Sequence, residues 1–223
     1  MSSRDTIFAS IRRSMGVSGE ERLRNAAVDD RLERAPKGII PTRAQLDAAG
    51  KLALMIEKLE GVQATVQKLA SAAEVPNAVA EYLRANNLPA SIRHGEDERL
   101  ASLDWGKTAL EVKRGPSDGH DLAALSHAES ALAETGTLVL LSGPDNPTTL
   151  NFLPDHHLVV LKASDVTGDM ESLWPRIRKK FGKGEMPRTL NFITGPSRSG
   201  DIEQTILLGA HGPRSLHVMI VEG

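Results

Sequence analysis

Three short stretches hold the residues best suited to chemistry. The first, NFITGPSRSGDIEQTILLGAHGP (residues 191–213), runs an apolar segment ending at Thr194 into a Gly-Pro-Ser-Arg-Ser-Gly turn, with two acids close behind. Gly195 and Gly200 permit positive φ and close backbone approach. Thr194, Ser197 and Ser199 carry hydroxyls, and Arg198 carries a fork of donors. The residues that follow, DIEQTILLG, are predicted to be helical, which would point free N–H groups and a positive dipole end back at the turn. That is a physical recipe for holding a carboxylate or phosphate. Asp201 and Glu203 support a second reading, in which they satisfy the helix dipole themselves and the turn only reverses the chain. Neither G-x-G-x-x-G nor a Walker lysine is present. His211, in GAHGP, is expected just past this helix, capping its last carbonyls, with Gly212 as the stop.

The second stretch is AETGTLVLLSG (residues 133–143). Glu134 sits in a tight turn at the mouth of a strand, where a carboxylate acts as a base, a nucleophile or an acceptor for a substrate hydroxyl. Thr135 and Thr137 flank Gly136 as donors. The competing reading is an ordinary strand-start turn with a solvated Glu. The third stretch, LPDHHLVVL (residues 153–161), places His156 and His157 side by side at the start of a strand. Adjacent strand residues point to opposite faces, so the pair is no bidentate metal site. No H-E-x-x-H or similar ligand spacing occurs.

These stretches need a scaffold, and the pattern supplies one. TLVLLSG, HLVVLKAS, TLNFITG and SLHVMIVEG are near-continuous apolar runs bounded by turn residues, which suits strands covered on both faces. Helical patterns alternate with them: RAQLDAAGKLALMIEKLEG, AEVPNAVAEYLRANN, DMESLWPRIRKKFG and DIEQTILLGAHG. VQATVQKL, PASIRHG and TALEVKRG read as further strands. The sum is an α/β sandwich with a largely parallel sheet. DLAALSHAESALAETG stays open between a helix and a strand–turn–strand. Ile7, Phe8, Ile11 and Met15 mark a short N-terminal amphipathic helix, and the charged residues 16–40 read as a mobile or wrapping arm, or a plain linker. The expected organisation is a helix and arm over residues 1–40, then one α/β domain over 41–223.

Composition narrows the function classes. The chain has 223 residues, a net charge of −2, two Trp, one Tyr, four Phe and no Cys. So few aromatics argue against stacking platforms for bases. One basic cluster, WPRIRKKFGKG, on a balanced chain argues against nucleic acid. Without Cys there are no disulfides, thiolate nucleophiles or all-Cys iron–sulfur sites. No apolar run is long enough to span a membrane, and the N-terminus lacks a signal-peptide pattern, so a cytoplasmic location is expected.

Taken together, AETGTLVLLSG, LPDHHLVVL and NFITGPSRSGDIEQTILLGAHGPRSLHVMIVEG resemble the LUD-domain family, in its lactate utilisation protein C branch. The likeness is strong over the C-terminal half and weaker before about His120. It implies a three-layer α/β sandwich of the sugar-phosphate-isomerase/CoA-transferase-like type with a helical N-terminal extension. It also implies a role in oxidising L-lactate to pyruvate, with two iron–sulfur partners, lactate utilisation proteins A and B, carrying the clusters. The family's L-P-x-x-H pattern falls on Leu153, Pro154 and His157, which singles out His157. The reading that follows is a subunit with no cofactor or metal of its own, binding a small anion (lactate, pyruvate or a phosphate-containing group) at its strand-end turns. The alternative is a stand-alone CoA-transferase- or isomerase-like enzyme using Glu134, whose E-T-G resembles the E-x-G turn of CoA transferases. A third reading is a purely structural assembly module.

Overall fold

The computed structural model describes residues 2–202 and 205–223, with side chains outside residues 201–206. It divides into two compact units, Met1–Ile39 and Ile40–Gly223.

In the first unit, α1 (Ser3–Met15) starts from a capping box. The Asp5 amide donates to Ser2 Oγ at 3.2 Å and the Ser2 amide donates to the Asp5 carboxylate at 2.9 Å, so two orphan donors are satisfied reciprocally. Gly16 closes the helix in the left-handed region, at φ 65°. Residues 22–34 are not an irregular arm as the charge pattern predicts: they form a second helix, α2 (Arg22–Arg34). Its Arg, Leu, Ala and Glu residues favour helix locally, and no Gly or Pro interrupts them. Neither helix buries a residue.

The second unit runs α3 (Ala48–Gly61), β1 (Thr65–Leu69), α4 (Val75–Ala85), β2 (Ser91–His94), α5 (Glu98–Ala101), β3 (Glu111–Arg114), β4 (Ala123–His127), β5 (Ser130–Leu132) and β6 (Thr137–Leu141). It continues through α6 (Thr148–Phe152), β7 (His156–Lys162), β8 (Val166–Thr167), α7 (Met170–Phe181), β9 (Leu190–Ile193), β10 (Arg198–Ile202), β11 (Thr205–Leu208) and β12 (Ser215–Val221). Six strands make a central sheet in the order β1-β12-β7-β4-β2-β3, with each neighbouring pair parallel. A smaller mixed sheet has the order β8-β5-β6-β9.

Alternation along β7 and β12 builds the core. Leu158, Val160 and Met219 pack with Val75, Val79 and Leu83 of α4 on one face. Val159, Leu161, Val218 and Ile220 pack on the other with Met55 and Leu59 of α3 and with Leu138 and Leu140 of β6. The central sheet therefore lies between helices, as its two-sided apolar strands predict, and the small sheet shares the α3 face. Val139 points away from that core to meet Leu173 and Ile177 of α7. The result is an α/β sandwich with a mainly parallel central sheet.

Two local outcomes follow from tertiary context. The Ala-rich stretch before Gly136 is strand–turn–strand, β4 then β5, and every residue of both strands is buried. Helix propensity yields there because small side chains let layers close on both faces of a strand. Among the described residues, the stretch expected to be a helix from Asp201 is strand instead. Arg198–Ile202 and Thr205–Leu208 pair as an antiparallel hairpin with an irregularity between Ser199 and Ile202. Its ends are tied together, since the Ser197 amide donates to the Pro213 carbonyl at 2.8 Å and the Gly209 amide to the Ser197 carbonyl at 3.0 Å. Gly200 weakens a helix, and the β-branched Ile202, Thr205 and Ile206 suit a strand.

Candidate functional site

The hairpin removes the expected helix N-terminus behind the Gly195–Gly200 turn, and with it the cradle of free helix N–H groups. The Ser197 amide is already spent on Pro213, and Ser197 Oγ accepts from the His211 amide at 3.3 Å. His211 thus caps no helix: it follows the hairpin and closes against the turn. Asp201, in its side chain, and Glu203 lie outside the described residues.

The turn nonetheless lines a cavity of about 270 Å³, whose walls include Asn151, His157, Thr194, Gly195, Ser197, Arg198 and His211. It forms where α6, the first residues of β7 and β12, and the end of β9 converge. Six residues singled out in the sequence therefore meet in one place, although they derive from segments about forty residues apart. Gly195 is required there: its φ is 88°, and a Cβ would stand 2.8 Å from Val62 Cγ2. Arg198 donates to the Val62 carbonyl through one amino group. The guanidinium carries five N–H donors in all.

The inner wall is polar and incompletely paired. His157 is buried, and its Nε2 lies 3.0 Å from Ser126 Oγ. Ser126 Oγ donates to Asn151 Oδ1 at 3.2 Å. His157 Nδ1 and Asn151 Nδ2 have no partner. Burial pushes the imidazole down to about 3, so the ring is neutral at physiological pH. Buried polar atoms of this kind are normally paired, and leaving one unpaired costs about 1–3 kcal/mol. His156, its neighbour, faces the other side of β7 and meets Tyr82 Oη at 3.0 Å through Nδ1, as strand alternation requires.

The Glu134 turn is built differently. The Glu134 carboxylate pairs with Arg43 at 2.6 Å, and its amide donates to the Gly168 carbonyl at 3.0 Å. Glu134 lines no part of the cavity. Gly136 has φ 68°, and a Cβ there would fall 2.6 Å from Lys58 Cβ. A row of hydroxyls, beside the pairing of β6 with β9, links this turn to the cavity. Thr135 Oγ1 is 2.7 Å from Thr137 Oγ1, which is 2.7 Å from Thr194 Oγ1 in the wall. Ser199 is buried, but neither it nor Gly200 is part of the wall. Sequence reasoning missed Asn151 and Ser126. Asn151 stands two residues before the Leu-Pro of the histidine stretch, whereas Ser126 lies in the Ala-rich segment whose type the sequence leaves open. Among the described residues, no group of three or more His, Cys, Asp or Glu is placed to hold a metal. No helix there is long and apolar enough to cross a membrane.

The architecture defines an α/β sandwich protein with a small cavity at the starts of two interior strands, β7 and β12, of its parallel sheet. The LUD domain model matches residues 52–221, and the chain belongs to the LUD-domain family. It is 35% identical over 119 residues to "Lactate utilization protein C" of Halalkalibacterium halodurans, covering 53% of this chain and 51% of that protein. It is 37% identical over 98 residues to the protein of the same name from Geobacillus thermodenitrificans, covering 44% and 41%. The chain spans about half the length of the curated relatives it matches. A crystal structure of a DUF162 family protein from Deinococcus radiodurans superposes with a TM-score of 0.59 at 25% identity, covering 79% of this chain and 99% of the other.

Proposed function

We propose that this chain is the small-acid-binding subunit of an L-lactate-oxidising system. Lactate or pyruvate occupies the cavity behind the Gly195 turn, and iron–sulfur partners, lactate utilisation proteins A and B, carry the electrons. The observation that carries the reading is a cavity of about 270 Å³ whose wall gathers Thr194, Ser197, Arg198 and His211 beside the buried His157 and Asn151. That volume falls at the small end of ligand pockets, and a few polar side chains converging on a small cavity are what an oxygen-rich small molecule requires. Arg198 in the same wall supplies positive charge for a carboxylate. The lactate role is supported by the names of the relatives, and the partners by the family resemblance. The Cys-free sequence agrees with clusters held elsewhere.

Reconstitution tests it. L-lactate should reduce an artificial acceptor when the three proteins are combined, and the rate should fall to background when this chain is omitted. Full activity from the two iron–sulfur proteins alone would remove the proposal.

A further inference from the structure

We propose that the groove between α4 and the segment leading into β3 binds a medium-chain aliphatic carboxylate, its head group held by Arg84 and Lys107 and its chain laid along Leu83, Leu88 and Leu110. This site shares no residue with the cavity behind Gly195 and does not depend on the small-acid reading.

The groove holds about 660 Å³, more than twice the volume behind Gly195 and within the usual range of ligand pockets. One wall is a stripe of α4 and the turn after it, where Asn77, Ala80, Arg84 and Asn87 recur at helical spacing. Residues 107–110 form the other wall. Two cations therefore line one groove whose wall holds no Asp or Glu, on a chain whose net charge is −2. A cleft lined by one sign of charge attracts the opposite sign. Asn77, Arg84 and Asn87 are all exposed, and their side chains have no hydrogen-bond or ion partner among the described residues. Their donors are free for a ligand. Lys107 pairs with Asp104 at 2.9 Å, which uses one of its three ammonium protons. Arg84 stands in the last turn of α4, where a cation suits the helix end without any ligand. That accounts for neither Lys107 on the opposite wall nor the apolar floor.

The floor decides the rest of the ligand. Leu83 is buried in the core on this face of the sheet, and Leu88 and Leu110 pack against the same cluster, with Ala80, Ala90 and Ala109 beside them in the groove. No aromatic side chain lines it, so a base or other flat ring finds no stacking partner. An aliphatic chain gains at each methylene it removes from water against this floor, whereas a short acid would leave the floor wet. Both walls are tied down. The Leu88 amide donates to the Leu83 carbonyl at 2.9 Å, the Thr108 amide to the Trp105 carbonyl at 3.0 Å, and the Glu111 amide to the Ala90 carbonyl at 2.8 Å. Trp105 Nε1 donates to the Leu100 carbonyl at 2.8 Å. A groove held in shape this way loses little freedom when it is filled.

The experiment is calorimetric titration of the full chain with octanoate at pH 7, alongside acetate (the same head group without the chain) and octanamide (the same chain without the charge). Octanoate should bind at least about tenfold tighter than acetate and severalfold tighter than octanamide, and its affinity should fall as salt rises. Arg84→Gln combined with Lys107→Gln removes both charges at exposed positions, so the fold should hold. Octanoate affinity should then drop about fivefold to tenfold, toward that of octanamide. Octanamide binding as tightly as octanoate, or octanoate affinity unchanged in the double variant, would mean an unspecific apolar contact and overturn the proposal. Failure of octanoate to bind would overturn it as well. None of these outcomes bears on the small-acid site, which the reconstitution tests separately.

Discussion

The turns at residues 134–137 and 194–199 look alike in sequence and differ in what they leave unsatisfied. Each places a glycine at positive φ, Gly136 at 68° and Gly195 at 88°, beside hydroxyls and one charged side chain. In the first, the Glu134 carboxylate, the Glu134 and Gly136 amides and both threonine hydroxyls all have partners. In the second, the Ser197 amide, carbonyl and hydroxyl are likewise occupied, yet this turn closes over a wall where His157 and Asn151 keep unpaired atoms. Turn chemistry therefore does not make a site by itself. The second turn matters because α6 and β7 bring unfinished hydrogen bonding beneath it, and unfinished buried groups require an explanation.

The largest test of that contrast is acid stability. Burial lowers His157 to about 3 and His217 to about 4, against an ordinary 6.5. Below about pH 6.5 the unfolded chain binds protons that the folded chain refuses, so stability falls as pH falls, until each folded-state value is reached. Each histidine contributes a slope of about 1.4 kcal/mol per pH unit, about 3 for the two together. Urea denaturation between pH 7 and pH 4.5 should show it, and His157→Gln should lessen the slope without abolishing it, since burial also lowers His94, His127 and His156. A flat profile would break the picture of a neutral, desolvated wall.

The glycines come next. Gly136→Ala forces a Cβ against Lys58 Cβ and the α3 backbone, in a left-handed conformation, and should cost about 2–4 kcal/mol. Gly195→Ala, also left-handed, meets Val62 Cγ2 at 2.8 Å and Val62 Cβ at 3.0 Å, with the backbone no nearer than 3.4 Å, and should cost somewhat less, about 1–3 kcal/mol. If the order were reversed in chemical denaturation, the Glu134 turn would not be the more tightly built of the two. Smaller again is Thr137→Val, which removes the hydroxyl between Thr135 and Thr194. About 1 kcal/mol of stability should go, and calorimetry should show a modest loss of small-acid affinity because Thr194 loses its support.

Much of this architecture is legible in the sequence. The runs ending β6, β7, β9 and β12 were visible because two-sided burial demands continuous apolar residues, and His157 was placed on the opposite face from His156 by strand period alone. What failed was local propensity. The residues after Asp201 score as a helix start, with an acid on either side of Ile202, but the hydrogen bonds of Ser197 to Pro213 and Gly209 tie them into a hairpin. Helical residues 22–34 were hidden by their charge. Ser126 and Asn151 were out of reach for a different reason: they meet His157 only through the register of β4 with β7 and the packing of α6, which no local spacing encodes.

The smallest expected effect concerns Glu134, and it separates a binding subunit from a stand-alone acyl-transfer enzyme. A nucleophilic carboxylate needs an open approach to its substrate and freedom to form a covalent bond. Glu134 is instead held by Arg43 at 2.6 Å and stands outside the cavity wall, with the three threonine hydroxyls between its turn and that wall. Because Arg43 is exposed, the ion pair should be worth less than about 1 kcal/mol, so Glu134→Gln should shift the unfolding midpoint only slightly and leave lactate and pyruvate affinities unchanged. Incubation of pure chain with acyl-CoA donors and acid acceptors, followed by hydroxylamine or borohydride trapping, should recover Glu134 unmodified by mass spectrometry. A trapped adduct at Glu134 that is lost in Glu134→Gln would invert the comparison: the fully paired turn would be the reactive one, with Arg43 as a partner released on substrate binding, and the cavity behind Gly195 would become its acceptor pocket.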